Sequence, residues 1–545
     1  MSASVGGRLE EVEPKRSLFG PDYLRLAALV LVAVAVHAWL VSHTALTARD
    51  SLGFARQALC FDTPSAAPHE EGHPKNTIDH IRAGEHPPGY PLTIWGVYTF
   101  VGLVSDAPVA DRALLAAQLA NVIAGVLLVI PTYLIGRMLF SQNVGFAAAL
   151  LFQVLPVPAR ITSDGLTEGV YLLAAAVAVA LAVRAVMVPR VSAFLLCGFA
   201  TGVCYLVRPE GLMIAAGPGA IALWMGLTRR WPRDLAFGRV AALVVGVGLV
   251  AVPYMALIGK ITNKPTGKDM LNPDGPPRLP YHDAHAAPGA TAGPLFAEWW
   301  NDARDSGKPQ SVWAVQAVFK EVSKGANYVV WPLALFAALA LRRRFATEPG
   351  LWVMVVIAAC NLALLYYLAA RVGYVSERHT VLLTLLACQF AAAGLPLLAA
   401  AVAQILPRVE RLGVRVTAAT LLVVLVAAAL PSTLKPMHPN REGHKHAGKW
   451  LAANLKADEA LVDPFCWAAW YSGRALYQPS DYNPAVSRAT YIVLENTPAT
   501  PHSRLPVLPL AKELVAKPGA RVVYHWPENV SQDDAVVHVW RIGGE

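Results

Sequence analysis

Long apolar runs are the feature that most constrains the fold of this chain. Runs long enough to cross about 30 Å of hydrocarbon recur along the sequence as far as Pro431. Only 15% of the residues are charged, against about 25% in soluble domains. We place the runs at 24–46, 113–136, 143–158, 168–188, 191–207, 211–228, 238–259, 327–341, 350–370, 379–406 and 414–431. The sequence therefore predicts a polytopic α-helical membrane protein with about eleven spans.

Charge counting predicts how these spans are oriented. The first run is long for a removable signal peptide, and no convincing small-residue cleavage site follows it, so we interpret it as a span. The segment 90–104, "YPLTIWGVYTFVGLV", is short and follows two prolines. If it lies in the interface and does not cross, the N-terminus and the later arginine clusters share one side. That side is the cytoplasm by the positive-inside rule. The clusters are Arg137, Arg184/Arg190, Arg229/Arg230/Arg233, Arg342–Arg344 and Arg408/Arg411/Arg415.

This orientation predicts the domain organisation. Residues 1–23 are a cytoplasmic N-terminus, and 24–431 form the transmembrane domain. Within it, 47–112 is a first extracytoplasmic loop with interfacial helices, and 260–326 is a long extracytoplasmic loop. Residues 432–545 change character. "KWLAANL" is typical of an amphipathic helix, and "ALVDPF", "TYIVLE", "RVVYHW" and "VVHVWRI" are typical of strands. We expect a small extracytoplasmic α/β domain there.

Several function classes fit the sequence poorly. The net charge of +9 comes largely from arginines between apolar runs, a pattern of membrane orientation rather than nucleic-acid binding. The six cysteines form no disulfide framework or C-x-x-C pair. "PHEEGHP", 68–74, contains the H-E-x-x-H string of zinc proteases, which functions on a helix. The flanking prolines and Gly72 disfavour that helix, so zinc proteolysis is a weak alternative.

Ionisable side chains at the predicted outer ends of the spans are the candidates for chemistry, because such groups are costly near a bilayer. Asp50 begins an amphipathic segment just after the first span, where it could simply cap a helix. Glu85 and His86 precede Pro87-Pro88, and that pair fixes an extended backbone. A stiff re-entry into the membrane would explain the prolines equally well.

Three further motifs reach the same face. Asp164 and Glu168 are four residues apart and share one face of the mouth of a span, where helix capping is the alternative. Arg208 and Glu210 lie between two apolar runs, where a local ion pair is the alternative. "RVGYVSERHTVLL" places Arg371, Arg378 and His379 on that face; arginines there could instead extend to lipid headgroups.

Together these residues place carboxylates and cations on one side of one membrane. Glycosyl transfer from a lipid phosphate requires this combination. A carboxylate deprotonates the acceptor hydroxyl, and guanidinium groups stabilise the departing phosphate as its charge develops.

The motifs also resemble a known family. "RDSLGFARQA", "EHPPGYPL", "SDGLTEGVYLL", "GFATGVCYLVRPEGL" and "GYVSERHTVLLTLLA" resemble, in this order, the GT-C membrane glycosyltransferases. The most similar group is glycosyltransferase family 39, which includes dolichyl-phosphate-mannose protein mannosyltransferases and bacterial aminoarabinose transferases. The resemblance covers most of 20–430, and it implies a GT-C fold and a polyprenyl-phosphate-linked sugar as donor.

The resemblance also implies roles for single residues. Asp50 matches the acidic residue of the first loop, the family's catalytic base, and Glu168 matches the acidic residue of the second outer loop. His86 and Arg208 match positions that meet the donor phosphate, and Arg378 matches a late basic position. We extend the substrate site to their neighbours Glu85, Asp164 and Glu210.

The sequence departs from the family in three places. Many relatives carry two adjacent acidic residues where this chain has Asp50-Ser51. The insert 60–85 is longer and richer in histidine than expected, and "GKITNKPTGKD" resembles a lysine-bearing segment of some relatives only loosely. We predict no metal site, since His69, His73 and His80 fit a solvated loop better, but a divalent cofactor stays open.

The sequence thus predicts an inverting glycosyltransferase of the inner cell membrane. The expected partners are a polyprenyl-phosphate sugar, a lipid, glycan or protein acceptor and membrane lipids, with no nucleic acid. A lipid-linked sugar transporter or flippase is an alternative, although no paired halves are evident. A non-catalytic protein of the same fold is another, because fold does not fix function.

Overall fold

The computed structural model describes residues 22–63, 76–264, 306–405, 413–476, 489–496 and 507–543. Its first part consists of helices, here numbered in chain order. The helices before residue 260 are α1 Tyr23–Ser42, α2 Asp50–Asp62, α3 Thr77–Ala83, α4 Gly89–Gly102, α5 Val109–Leu127, α6 Val129–Leu139, α7 Gln142–Val154, α8 Pro156–Thr162, α9 Glu168–Met187, α10 Val191–Val207, α11 Ala216–Leu227 and α12 Arg233–Ile258. Those after residue 306 are α13 Gln310–Gly325, α14 Val330–Ala340, α15 Pro349–Val372, α16 Val381–Ile405 and α17 Gly413–Thr433. Short 3₁₀ helices at Pro209–Ala215 and Glu377–Thr380 lead into α11 and α16.

The described helices agree with the expectation of about eleven spans. Eight helical runs are long and apolar enough to cross a membrane. Two bent pairs, α7–α8 with a bend of 70° and α13–α14 with a bend of 94°, raise the number to ten. The apolar helix α10, with 17 residues, is the remaining candidate. Helix α4 has 14 residues and is about 21 Å long, too short for the hydrocarbon core. An interfacial position therefore fits α4.

The helical part of the protein has two distinct ends. At one end Arg137 pairs with Asp22 at 3.1 Å, and Arg344 donates to the carbonyl of Leu139 at 2.9 Å. This basic end thus gathers the start of α1, the end of α6 and the turn before α15, as charge counting expects. The opposite end carries the candidate residues and is called the site end below. Which side of the membrane each end faces stays a prediction.

Small residues allow α10 and α12 to pack closely. A Cβ atom on Gly198 would overlap the carbonyl oxygen of Leu243, and one on Gly202 would lie 2.7 Å from the Cβ of Val250. Two small residues four apart allow backbones to approach, which drives helix association in lipid. This contact holds α10 in place, and its C-terminus delivers Arg208 to the site end.

The C-terminal part is a small α/β unit, as expected. Its four-stranded sheet has the order β1-β2-β4-β3, in which β1 and β2 are parallel and the other pairs are antiparallel. Alternate residues of β2 face opposite ways, so Tyr491 and Val493 pack beneath α18 while Ile492 packs against α20. The elements are α18 Glu442–Asn454, β1 Ala460–Val462, α19 Trp467–Tyr471, β2 Thr490–Glu495, α20 Val507–Val515, β3 Arg521–Trp526 and β4 Val537–Ile542.

This unit packs directly against the helical part. The indole of Trp470 donates to the carbonyl of Ala110 at 3.1 Å, and the Nε of Arg56 donates to the carbonyl of Ala475 at 3.0 Å. Trp470 is fully buried in the same apolar core as α5. The α/β unit is therefore fixed over α2 and α5, close to the site end.

Some sequence boundaries differ from the structure. The first run, 24–46, is helical only to Ser42, because the chain turns before α2. Residues 310–325, taken from the sequence as part of a long loop, form α13. Its buried Ala314, Val318 and Val322 recur at helical spacing. The "PHEEGHP" string and most of the 260–326 loop lie outside the described residues.

The α10–α12 contact can be tested with two alanine substitutions. We expect Gly198→Ala to lower the free energy of unfolding in detergent by about 1–3 kcal/mol, because the new methyl group meets the backbone of α12. Thermal or denaturant unfolding of the purified protein measures the loss.

Gly238→Ala on α12 is the matched control, since no atom lies within 4 Å of the added Cβ. Alanine is the better helix former, so this variant should keep or gain up to about 1 kcal/mol. Equal stability of the two variants would contradict the close contact.

Candidate functional site

The first element of the site is an ion pair between distant parts of the chain. Arg378 Nη1 donates to Asp50 Oδ2 at 2.6 Å across 328 positions of sequence. Asp50 lies in the first turn of α2, and Arg49 is the N-cap residue of that helix. Asp50 is therefore not the N-cap itself, and its carboxylate pairs with Arg378. Arg378 lies in the 3₁₀ helix before α16, where Glu377 pairs with Lys324 of α13 at 2.5 Å.

The Asp50 carboxylate is charged and reachable. Its side chain is 51% exposed and that of Arg378 is 31% exposed, although surrounding protein atoms partly desolvate both. Burial by itself would raise the pKa of Asp50, but the Arg378 guanidinium overrides this effect and lowers that pKa to about 2. Asp50 is thus an ionised carboxylate with a solvent-accessible side chain.

The second element is a chain of alternating charges. Arg208 Nη1 donates to Glu168 Oε1 at 2.7 Å, and its Nη2 lies 3.6 Å from Glu210 Oε1. Lys264 Nζ donates to the same Glu210 oxygen at 2.5 Å. Glu168 is 3% exposed and Arg208 12% exposed, and the guanidinium of Arg208 stacks on Tyr171 at 5.4 Å. Pairing is what makes these charges tolerable away from water.

His86 joins the two elements. Gly89 lies against the end of α10, where a Cβ would come within 2.6 Å of the carbonyl oxygen of Leu206. This close approach seats the Pro-Pro-Gly turn beside Arg208, and the His86 ring packs on Phe54 of α2 at 4.8 Å. Burial, followed by the Lys264 ammonium, lowers the pKa of His86 to about 4. The ring is therefore neutral at pH 7, with one N–H to donate.

The carboxylate oxygens of Asp164 form hydrogen bonds with other groups of the protein. Its Oδ1 accepts the backbone amides of Ala48 at 2.8 Å and Gly165 at 2.7 Å. Its Oδ2 lies 2.8 Å from His438 Nε2, and its side chain is 5% exposed. Asn121 holds the same turn by donating to the Asp164 carbonyl at 2.6 Å. Asp164 therefore lies at the site but has its oxygens engaged.

The structure brings most of the predicted residues together. Glu85 lies half-buried next to His86. The charges of Lys264, Asp50, Arg208 and Glu210 all act on the pKa of His86, so these groups lie in its vicinity. Arg371, by contrast, is exposed on α15 over Tyr367 and lies outside this group.

Sequence reasoning missed Lys264 and His438 as members of the site. Lys264 is placed by Asn263, whose amide donates to the carbonyls of Arg82 at 2.9 Å and Gly84 at 3.0 Å. The loose lysine-bearing resemblance of this segment was the available signal. His438 is followed by Pro439 at the end of the last apolar helix, and no spacing pattern links it to Asp164.

Metal binding has no support from the described side chains. In the ranges the structure covers, no three His, Cys, Asp or Glu residues are grouped so that they could hold an ion. His69 and His73 lie outside those ranges. A divalent ion therefore stays open for this chain.

Comparison with known proteins gives the fold. Residues 85–256 match the family model of the dolichyl-phosphate-mannose-protein mannosyltransferases. This match includes the Glu85–His86, Asp164–Glu168 and Arg208–Glu210 motifs, but not Asp50, Lys264 or Arg378. No curated protein sequence matches the chain significantly.

Solved structures match over most of the chain at low identity. ArnT from Cupriavidus metallidurans bound to undecaprenyl phosphate shares 15% identity, with 95% of this chain and 98% of ArnT covered and a TM-score of 0.53. The archaeal oligosaccharyltransferase AglB from Archaeoglobus fulgidus, in complex with an inhibitory peptide and a dolichol-phosphate, shares 12% identity. In that comparison 90% of this chain and 72% of AglB are covered, with a TM-score of 0.54.

Both solved proteins are GT-C glycosyltransferases. At these identities the likeness shows the fold, and the predicted architecture of membrane helices with a small C-terminal α/β unit is confirmed. The chain is a multi-pass membrane protein of the GT-C fold, and its residues 85–256 resemble the dolichyl-phosphate-mannose-protein mannosyltransferase family.

Proposed function

We propose that this protein is an inverting glycosyltransferase that moves a sugar from a polyprenyl phosphate to a lipid, glycan or protein acceptor at the outer face of the membrane. The observation that carries the proposal is the reachable Asp50 carboxylate, paired with Arg378 at 2.6 Å. A carboxylate and a guanidinium side by side supply both a base and a phosphate ligand.

The three cations proposed to meet a phosphate each lie next to a carboxylate in the described structure. The carboxylates of Asp50, Glu168 and Glu210 face the cations of Arg208, Lys264 and Arg378. An incoming phosphate therefore has to share or displace a carboxylate partner. Arg378 is the most accessible of the three cations, with 31% of its side chain exposed against 21% for Lys264 and 12% for Arg208.

Donor binding would then activate the base. When the donor phosphate takes the Arg378 guanidinium, Asp50 loses the partner that holds its pKa at about 2. The pKa of the carboxylate rises, and a more basic Asp50 accepts a hydroxyl proton more readily. Base activity would thus depend on an occupied donor site.

The proposed chemical step is a single displacement at the anomeric carbon. The acceptor oxygen attacks this carbon while its proton passes to an Asp50 oxygen. The bond from the anomeric carbon to the phosphate oxygen breaks, and its electron pair stays on the phosphate. Arg378, Lys264 and the N–H of neutral His86 stabilise the charge that develops there. Attack opposite to the leaving group inverts the anomeric configuration.

Glu168, predicted from the sequence as catalytic, has a supporting place in this scheme. It is 3% exposed and engaged by Arg208, so it acts through that guanidinium. Glu210 holds Lys264 in the same way. Glu85 stays a candidate for sugar contact, since it lies half-buried beside His86.

The solved proteins of this fold support a lipid phosphate as donor. ArnT was solved with undecaprenyl phosphate and AglB with a dolichol-phosphate.

Replacing the proposed base tests the reaction. We expect Asp50→Asn to lower kcat by about 10²–10⁴-fold, because an amide cannot take the acceptor proton. Donor affinity should be unchanged or tighter, because Arg378 loses its competing carboxylate. Release of label from radiolabelled polyprenyl-phosphate sugars by membranes containing each variant measures the transfer.

Asp62→Asn is the matched control, since Asp62 ends the same helix and its carboxylate accepts a hydrogen bond from Trp95 at 3.3 Å. Equal transfer by wild type and Asp50→Asn would remove Asp50 from its role. Lipid movement without transfer would favour a transporter.

The pH profile tests the Asp50–Arg378 pair. Removing Arg378 leaves burial as the main influence on the pKa of Asp50, and burial raises it. In Arg378→Met we expect that pKa to rise by about 1–3 units. The variant's kcat/KM should therefore fall as the pH drops from about 5 to 3, where wild type is flat.

Arg371→Met is the control for this profile, because Arg371 is exposed and lies outside the site. Acidic limbs at the same pH in wild type and Arg378→Met would show that the guanidinium does not control the base.

The contribution of Lys264 to donor binding can be measured without turnover. We expect Lys264→Met to weaken binding of polyprenyl phosphate by about tenfold or more, since a charge-assisted hydrogen bond is worth about 1.5–3 kcal/mol. Titration of the purified protein with the lipid phosphate measures the Kd.

Lys260→Met provides the control, as Lys260 is an exposed lysine just beyond α12, four residues before Lys264. Equal affinity of both variants would place the phosphate away from Lys264.

A further inference from the structure

His438 has an unusual backbone at the junction between the helical part and the α/β unit. Its φ is 51° and its ψ is 45°, the left-handed region, and Pro439 follows it. Residues with a Cβ seldom adopt this conformation, and a following proline further disfavours helical backbone angles. Strain of this kind persists only where the surroundings hold it, and it marks candidates for function.

The chain just before His438 is firmly anchored. Thr433 Oγ1 donates to the carbonyl of Val154 at 2.6 Å, and Trp39 Nε1 donates to the carbonyl of Leu434 at 2.9 Å. Met437 is buried in a cluster with Leu40 of α1. The imidazole is thus presented from a fixed point.

The imidazole meets Asp164 and, through it, the turn that carries Asp50. His438 Nε2 lies 2.8 Å from Asp164 Oδ2, and the other carboxylate oxygen accepts the Ala48 amide, two residues before Asp50. The Ser51 hydroxyl donates to the Ala48 carbonyl at 2.5 Å. Gly165 lies so close that a Cβ on it would come within 2.8 Å of the Cβ of Ser51.

We propose that His438 is a positioning residue for the reaction. Through Asp164 it fixes the 47–51 turn and so the orientation of the Asp50 carboxylate. The inference rests on the proposed function of Asp50, and it gives Asp164 a positioning role in place of the substrate contact expected from the sequence.

Other charges near the pair belong to the same junction. Arg441 lies three residues beyond His438, and its guanidinium lies over the ring of Trp467 at 5.0 Å. Its charge interacts electrostatically with the charges of Arg49, Asp50 and Asp164. The backbone amides on Asp164 Oδ1 are independent of these charges. The role of His438 therefore needs only its hydrogen bond to Asp164.

Hydrogen exchange and kinetics test the proposal on the full-length protein. In His438→Ala we expect faster amide exchange confined to 45–52 and 162–166, and kcat lower by on the order of 10- to 100-fold from misplacement of the base. The Kd for polyprenyl phosphate should stay within about twofold, because its proposed ligands are untouched.

His438→Gln should rescue both readouts, since the amide nitrogen of glutamine reaches the position of the histidine Nε2 and can donate to Asp164. His446→Ala is the matched control, because His446 is exposed on α18 with only a 3.8 Å contact to Glu442 and a ring stacked on Trp526. It should match wild type in exchange and in kcat.

Wild-type exchange and kcat in His438→Ala would overturn the proposal, and so would faster exchange spread over the whole chain. A weaker Kd with unchanged exchange at 45–52 would place His438 in the donor site instead. If wild type transfers no sugar, the proposed function fails, and the exchange data still decide whether His438 holds the Asp50 turn.

Discussion

The buried pair of Glu168 and Arg208 is the interaction on which the rest of the site depends. Each charge would be very costly alone near a bilayer, so the two side chains form an ion pair. The distance from Arg208 Nη1 to Glu168 Oε1 is 2.7 Å, and this contact holds the start of α9 against the end of α10. The close glycine contact of α10 with α12 and the seat of Gly89 against Leu206 then bring His86 to the same point. The reachable pair of Asp50 and Arg378 lies on this fixed base. The enclosed Glu168–Arg208 pair thus supports the position of the accessible Asp50–Arg378 pair.

The described site contains two kinds of carboxylate. Asp164 and Glu168 are almost fully enclosed and engaged by protein donors, whereas half of the Asp50 side chain is open. The position of a carboxylate near the membrane therefore does not show whether it could act as a base or only supports the structure. The hydrogen-bond partners of its oxygens distinguish the two cases. This distinction favours Asp50 as the carboxylate that contacts the substrate in the proposed reaction, and it favours a supporting role for Asp164 and Glu168.

Much of the architecture could be predicted because it follows from local patterns. Apolar runs located the membrane helices, alternating residues located β2, β3 and β4, and short polar motifs at helix ends located Asp50, His86, Glu168, Arg208 and Arg378. What could not be predicted depends on contacts across the chain. The partner of Asp50 is 328 positions away, and His438 reaches Asp164 across 274 positions. The amphipathic helix α13 escapes prediction because it follows directly on a long polar segment of the chain.

The Asn263 amide, bonded to two carbonyls of the 82–84 segment, has a consequence for how proteins of this shape diverge. It anchors the polypeptide immediately before Lys264 and the stretch 265–305. Insertions or deletions beyond that anchor can accumulate without shifting the lysine relative to Glu210. The contact between Lys264 and Glu210 can therefore persist while the sequence after residue 264 changes.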